Sequence, residues 1–465
     1  MSRTVLAIDQ GGQSTRACLF DGRGNLLAAA RRSISTRRDG QLRVEHDPDE
    51  LADSVDSVCR EVLANGPDAD VAALATQRSS VVCWDRITGE ALSPVLSWQD
   101  RRAGDLLARY APSGEVIADI TGLVASPHYG ASKLRWCLEN LPAVARAAGD
   151  GRLALGPVAS FLLFRNLAGS PLVCDPVNAS RTLLWNVSSG DWSTQLTTAF
   201  GVPKQFLPVC VGNRAAFGTL QSVPLEVCTG DQAAAVFAHG QLQTNRVYIN
   251  IGTGAFLLAP VDALPASSQL LRSVAWVDDS QRSVVLEGTV NGAASALSVV
   301  QPSTATGDID SAAASLGNAD DLPFFLNGVS GIGSPHWVAH MPSRFIGEGD
   351  KAAQLTAVLE SILFLLQDNL VEIPDWEQRE IIVSGGLARA DGLCQGLADL
   401  SGRVVWRSAQ AEATISGLAR LAAGLPGNWP IAESQRFNPQ PGSKLPNRYR
   451  QWQRLLTEEI ATLPL

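Results

Sequence analysis

Two short stretches of this chain, about one domain apart, carry similar residue types in a similar order. Val5-Leu6-Ala7-Ile8-Asp9-Gln10 runs into Gly11-Gly12-Gln13 and out again through Ser14-Thr15-Arg16-Ala17-Cys18-Leu19-Phe20. Val247 to Ile251 runs into Gly252-Thr253-Gly254 and out through Ala255-Phe256-Leu257-Leu258. Each stretch is predicted as a β-hairpin whose turn places Gly at crowded positions, so that backbone N–H groups converge on an anion and Ser or Thr hydroxyls add donors. Two such turns facing each other would hold a polyphosphate between two domains. Asp9, at the end of an apolar strand, is placed to hold the hydration shell of a Mg²⁺ ion. Nucleotide chemistry is the leading expectation. Neither turn is a Walker P-loop, because no Gly-Lys-Ser/Thr follows at the required spacing. Neither is a dinucleotide-binding Gly-x-Gly-x-x-Gly, because the chain beyond Gly11 and Gly12 re-enters a strand instead of opening a helix.

The elements that must position these turns read as an α/β layer. After the first hairpin, Asp21-Gly22-Arg23-Gly24 is a second turn and Asn25 to Ala30 a third strand of a meander. Asp47-Pro48-Asp49-Glu50 is a helix start, with Asp47 as cap, Pro48 in the first turn and acids at the positive end of the dipole. Leu51, Val55, Val58 and Val62 then recur at helical spacing. Val71 to Thr76 and Val81 to Trp84 read as short buried strands. Thr229-Gly230-Asp231-Gln232 precedes a small-residue helix from Ala233 to His239, and Asp231 on its own reads as the cap of that helix. Farther on, Ser283 to Leu286 is predicted as a strand running into Glu287-Gly288-Thr289, and Lys351 to Asn369 as an amphipathic helix. Ile381 to Ser384 is a strand ending on Gly385-Gly386, where an α/β sheet places ligands. The tail from Ala432 is read as Pro-rich and polar before a short final helix. A boundary near Thr244 divides the chain into domains 1–243 and 244–465.

A length of 465 residues exceeds one ordinary core, and 45% apolar with 18% charged residues fits a well-packed protein. The net charge of -9 argues against a nucleic-acid or anionic-membrane surface, so any phosphate must be held locally by amides, metal and individual cations. The eight cysteines are scattered with no metal-ligand spacing and read as buried thiols of a reducing compartment. Without a signal-peptide pattern or a membrane-length apolar run, a cytoplasmic protein is expected.

An ordered series of short motifs resembles the FGGY family of carbohydrate kinases, its glycerol-kinase branch most closely. The series is Asp9-Gln10-Gly11, Glu45-His46-Asp47-Pro48, Gln77-Arg78, Trp84-Asp85, Trp98-Gln99-Asp100-Arg101-Arg102, Gly230-Asp231-Gln232, Gly252-Thr253-Gly254, Gly331 through Trp337, Leu359-Glu360-Ser361-Ile362 and Ser384-Gly385-Gly386. The resemblance implies an α/β fold of two actin-like, ribonuclease-H-like ATPase domains flanking a catalytic cleft, with ATP and Mg²⁺ as cofactors. It implies Asp231 as the general base that takes the acceptor proton, and Asp9 and Asp231 as the residues beside the metal. It places Gly11, Gly12, Gln13, Ser14, Thr15, Arg16, Gly252, Thr253 and Gly254 around the phosphates, and Gly385 and Gly386 along the adenine and ribose. The acceptor wall is implied to be Arg78, Ser79, Trp98, His128, Tyr129, Asp231, Gln232 and Phe256.

The chain departs from that branch in Leu387-Ala388-Arg389-Ala390, where an Asn near adenine is replaced, in abbreviated stretches after Glu287-Gly288-Thr289 and from Gly347 to Ala353, and at three positions of the acceptor and phosphate sites. Gln77-Arg78-Ser79 has Ser where glycerol kinases have a Glu that binds glycerol. His128 aligns with a Tyr that contacts glycerol, although a one-residue shift would restore Tyr129. Gly12 stands where relatives usually carry Thr. The expected activity is ATP-dependent phosphorylation of a small polyol or sugar in an altered pocket. The competing readings are an actin-like ATPase and a non-catalytic sugar or nucleotide sensor. No nucleic-acid or membrane partner is expected, and a homodimer is left open.

Overall fold

The computed structural model of the chain describes residues 3–318, 321–410 and 412–463. It divides into two units, Met1–Leu242 with Ser273–Val284 and Glu412–Ile431, and Gln243–Arg272 with Val285–Ala411 and Ala432–Leu465.

Unit 1 is built on a six-stranded mixed sheet in the order Arg214–Leu220, Val223–Gly230, Val71–Thr76, Val5–Gln10, Ser14–Phe20, Leu26–Ser33. The last three form the antiparallel meander expected of the opening residues. The strands Val5–Gln10, Val71–Thr76 and Val223–Gly230 run parallel, with Gln10 opposite Thr76 and Thr76 opposite Gly230. Their carboxyl ends are therefore flush. The helix Pro48–Ala64 starts as its sequence indicates, with the Asp47 carboxylate accepting from the Asp49 and Glu50 amides. Its buried Leu51, Val55, Val58 and Val62 join Leu6, Ile8, Leu19 and Leu74 in one core. Val81–Asp85 belongs to a separate five-stranded sheet with Arg37–Asp39, Arg43–His46, Val95–Leu96 and Leu153–Pro157.

Unit 2 carries the strands Ala255–Val261, Arg246–Ile251, Glu380–Ser384, Val405–Ser408 and Ser434–Phe437, side by side in that order. Arg246–Ile251 pairs antiparallel with Ala255–Val261 and parallel with Glu380–Ser384, which pairs parallel with Val405–Ser408. A hairpin followed by two parallel strands is the arrangement of unit 1, so the duplication seen in two turns extends to both sheets.

Three expectations in unit 2 need correction. The strand at Ser283 continues from Arg282 to Val290 and takes Glu287-Gly288-Thr289 into the sheet. The helix Lys351–Leu370 is buried on all sides from Leu355 onward, polar residues included, and is a core helix with no solvent face there. The final helix is long, Leu445–Thr462. It docks through Trp452, whose indole donates to the Phe325 carbonyl at 2.9 Å, and through Arg448, which meets the buried Glu360 carboxylate at 2.7 Å. The aligned guanidinium offsets much of the cost of burying Glu360, which is why a charged residue is tolerated inside the core. All eight cysteines are free thiols, six buried and Cys18 and Cys210 half-buried. Among the described residues no helix is long and apolar enough to cross a membrane.

Candidate active site

The flush ends of the three parallel strands bring Asp9, Arg78 and Asp231 to one edge of the unit 1 sheet, where open α/β sheets bind ligands. Asp231 opens the helix Asp231–Val236, but its cap is Gly230, and no side chain caps that end. The cap reading of Asp231 is thus corrected. Its carboxylate accepts from the Gln232 amide at 2.7 Å and stands 3.9 Å from Arg78 Nε. Arg78 also donates to the Gln232 side-chain oxygen. A Cβ at Gly230 would lie 2.6 Å from the Arg78 stem, so only glycine lets that side chain cross the strand end. Burial pushes the Asp231 carboxyl above the usual carboxylate range, against the pull of Arg78, the Gln232 amide and Arg181. Its side chain remains about a third exposed, at 32%. A raised carboxylate with an open face is suited to accepting a proton near neutral pH.

Beside this edge, Trp98 and His128 lie with ring centroids 5.7 Å apart, and Tyr129 meets the His128 ring edge-on at 4.9 Å. Of the two candidates at this position, His128 is the half-buried one against Trp98, while Tyr129 is buried behind it. Burial and the cations of Lys133, Arg101, Arg181 and Arg78 hold the His128 imidazole well below its ordinary value. It is therefore neutral, with one nitrogen donating and one accepting. Ser79 sits in the left-handed region with φ 64, and its buried hydroxyl has no hydrogen-bond partner among the described residues. Both features are costly, and such costs gather at functional positions. Phe256 lies on the strand Ala255–Val261 of unit 2.

The two Gly-rich turns share a further feature. In the first, the Gly11 amide closes on the Ser14 carbonyl at 3.0 Å, while the Gln13 carbonyl takes the Ile34 amide and the Gly12 carbonyl the Thr36 hydroxyl. In the second, the Gly252 amide closes on Gly254 at 2.9 Å, and the carbonyls of Gly252 and Thr253 take the amides of Ala294, Ala293 and Ser295. Both turns thus have carbonyl oxygens tied down by a neighbouring segment. Crowding holds only for Gly254, where a Cβ would lie 3.0 Å from the Val290 carbonyl oxygen; Gly11, Gly12 and Gly252 have ordinary space. Thr15 does not reach the turn: its hydroxyl is buried against Ser54 at 2.6 Å and ties the strand to the first helix. Gln13 is exposed, Ser14 is buried, and Arg16 is ion-paired with Glu412 of the same unit. Gly385 does require glycine, with φ at +101 and a Cβ position 2.5 Å from the Ile251 carbonyl oxygen. Gly386 is exposed, with open space at its Cβ position.

A threonine at position 12 would place its Cβ 3.7 Å from Gln77 Oε1 and 3.8 Å from His46 Nε2, both ordinary contacts. The His46 Nε2 atom is buried and unpartnered among the described residues, and a threonine hydroxyl is expected to donate to it. Gly12→Thr is expected to raise the melting temperature by about 2–4 °C, through that bond and reduced freedom of the unfolded chain. Scanning calorimetry checks this, and a lower melting temperature would show that the turn needs glycine.

Burial raises Asp9 to about 7, with the nearby Asp231 and Glu412 carboxylates adding to the rise and Arg16 opposing it. Among the described residues no group of three or more potential ligands forms a metal cage. A Mg²⁺ ion needs no such cage, since it is commonly held by one or two carboxylates, retained water and substrate phosphate. A buried carboxylate whose proton affinity is raised further by a neighbouring carboxylate fits a divalent cation.

Several residues that shape this edge have no role assigned from sequence. Lys133 is completely buried, and its ammonium donates to the carbonyls of Ser79 at 3.2 Å, Ser97 at 2.7 Å and His128 at 2.7 Å. Asp100 accepts from the Val44 amide and from Arg102, which also reaches Glu45 at 2.7 Å, fixing the loop that presents Trp98. Ser80 accepts from the Trp98 amide at 3.0 Å and donates to Gln77 at 2.7 Å, and the Gln77 amide bonds the Gln10 carbonyl at 2.9 Å. This buried relay joins the Trp98 wall to the first turn. The only sequence sign of Lys133 is the scarcity of lysine.

Comparison with known proteins places this geometry. Residues 4–238 match the N-terminal domain, and residues 247–424 the C-terminal domain, of the FGGY family of carbohydrate kinases. A glycerol kinase of Methylobacterium nodulans is 33% identical over 467 aligned residues, covering 94% of this chain and 92% of that protein. The crystal structure of Plasmodium falciparum glycerol kinase with ADP is similar with a TM-score of 0.89 at 22% identity, covering 99% of both chains. That of xylulose kinase from Rhodospirillum rubrum has a TM-score of 0.86 at 20% identity, covering 98% of this chain and 99% of the other.

Proposed function

The chain belongs to the FGGY family of carbohydrate kinases, and on that premise we propose that it transfers the γ-phosphoryl group of ATP to a polyol or sugar hydroxyl with Asp231 as general base. The observation that carries the assignment of roles is the convergence of Asp9, Arg78 and Asp231 at the ends of three parallel strands. Arg78 and Gln232 hold the Asp231 carboxylate in place, and Asp231 accepts the hydrogen bond of the acceptor hydroxyl. As that oxygen bonds to the γ-phosphorus, the bond from phosphorus to the β–γ bridging oxygen breaks, ADP leaves, and the hydroxyl proton passes to Asp231. Bond making lags in a loose phosphoryl transfer, so an ordinary carboxylate within reach suffices.

Trp98 and the neutral His128 give the acceptor one apolar face and one polar edge. The turn Gly11 to Ser14 and the turn Gly252 to Gly254 are each assigned to phosphate, and Gly385-Gly386 to the nucleoside. Asp9, with Asp231, would hold Mg²⁺ through its water shell, and the ion when bound neutralises charge on the transferring group.

At position 79 the pocket has a small hydroxyl in place of the carboxylate of the glycerol kinases. A site that has lost a charged acceptor of hydrogen bonds loses discrimination for the hydroxyl it bound. We therefore place glycerol below another small polyol or sugar as acceptor. The test is ADP release with ATP and Mg²⁺ across polyols, ketoses and sugar acids, glycerol included, with Asp231→Asn as control. One strong acceptor whose turnover disappears in the control supports the reading. Glycerol as the best acceptor refutes the ranking, and sugar-independent turnover refutes the kinase assignment.

A further inference from the structure

We propose that Lys133 is the positioning residue of the acceptor site, its ammonium setting the spacing of three separate segments that present Ser79, Trp98 and His128. The proposal rests on the acceptor-site reading above. Lys133 lies on the helix Gly130–Asn140, and each N–H of its ammonium has one carbonyl acceptor. The Ser79 carbonyl follows the strand Val71–Thr76, the Ser97 carbonyl follows the strand Val95–Leu96, and the His128 carbonyl precedes the helix itself. Those carbonyls belong to the peptides linking Ser79 to Ser80, Ser97 to Trp98 and His128 to Tyr129. Fixing the three peptides fixes the residues that carry the wall.

The chemistry of the position argues for this role. Burying an ammonium without a carboxylate in direct contact is costly, and a methionine of similar shape would fill the space without that cost. What methionine cannot do is donate three hydrogen bonds to three converging carbonyls. Lys133 has no exposed surface and so touches neither solvent nor substrate, which makes it a positioning residue and not a catalytic one. Burial and the neighbouring Arg101 depress its proton affinity, so the carbonyl cage has to hold the proton. The Trp98 and His128 rings, carried by residues on either side of those peptides, lie 5.7 Å apart.

The test uses the full chain with the preferred acceptor, comparing Lys133→Met and Lys133→Gln with the wild type. Lys133→Met is expected to raise the acceptor KM by roughly 10–100-fold, as a displacement near 1 Å does at a reacting site. The ATP KM should stay within about twofold, and Lys133→Gln, which keeps part of the donor set, should fall between. A folded Lys133→Met enzyme with the wild-type acceptor KM overturns the proposal. So does a fall in kcat that tracks only the loss of folded protein, with both KM values unchanged. If the methionine variant does not fold, the glutamine variant carries the same comparison. Arg78→Ala separates the two readings: if it also leaves the acceptor KM unchanged, the acceptor site itself is misplaced. If it raises that KM while the Lys133 variants do not, the Lys133 proposal alone fails.

Discussion

Replacing Asp231 with Asn is expected to lower kcat by about 10²–10⁴-fold, the usual worth of a positioned general base. Asparagine keeps the shape of the side chain and an oxygen for the Gln232 amide, which lies 2.7 Å from the carboxylate. It loses the ability to take a proton at the moment the acceptor oxygen attacks. The helix that follows should be undisturbed, because its cap is Gly230 and not the substituted residue. Folding and ADP affinity are therefore expected to survive, and calorimetric titration with ADP beside steady-state kinetics separates the two effects. A second consequence is electrostatic. Since Asp231 helps to raise Asp9, its neutralisation should bring Asp9 back toward the ordinary carboxylate range. Near-normal turnover in the variant would remove Asp231 from the chemistry.

What could be read from the chain beforehand was local. The Asp47-Pro48 start, the meander from Val5 to Ala30 and the strand Val71–Thr76 are fixed by caps, turns and periodicity within a few residues, and each formed where expected. The motif series identified the family because it samples nearly the whole chain. What could not be read was set by distant partners. Thr15 looks like a phosphate donor until Ser54 is seen to hold it. The helix at Lys351 looks amphipathic until Arg448 arrives from the final helix to pair with Glu360. Lys133 is a lone lysine in sequence, and its three carbonyls come from segments up to 54 residues away. The flush register of three parallel strands, which makes a site of Asp9, Arg78 and Asp231, is likewise a property of the sheet and not of any segment.

Asp9 sets stability against function, and its replacement has the second large expected effect. Its folded value of about 7 lies above the unfolded value of 3.8, with burial as the first cause and Asp231 as the second. The folded protein therefore binds more protons than the unfolded chain between about pH 4 and pH 7, and stability falls as pH rises through that window. Asp9→Asn removes the cost, so the ligand-free variant is expected to melt about 2–4 °C above the wild type at pH 8 for each kcal/mol recovered. At pH 4 the difference should be small, because Asp9 is protonated in the folded protein and still close to half protonated in the unfolded chain. Turnover should move the other way. Loss of a carboxylate that holds the metal's water shell is expected to cost about 3 kcal/mol of transition-state stabilisation, or about 10²-fold in kcat. In the wild type, binding of the magnesium nucleotide near pH 7 should release about half a proton from Asp9, because the ion favours the ionised carboxylate. Titrations in two buffers of different ionisation enthalpy measure that release, and it should vanish in Asp9→Asn. A stability gain that is the same at pH 4 and pH 8 would show that Asp9 does not titrate in this range. Stabilisation at pH 8 with full turnover would show instead that the buried carboxylate is not the one that holds the metal.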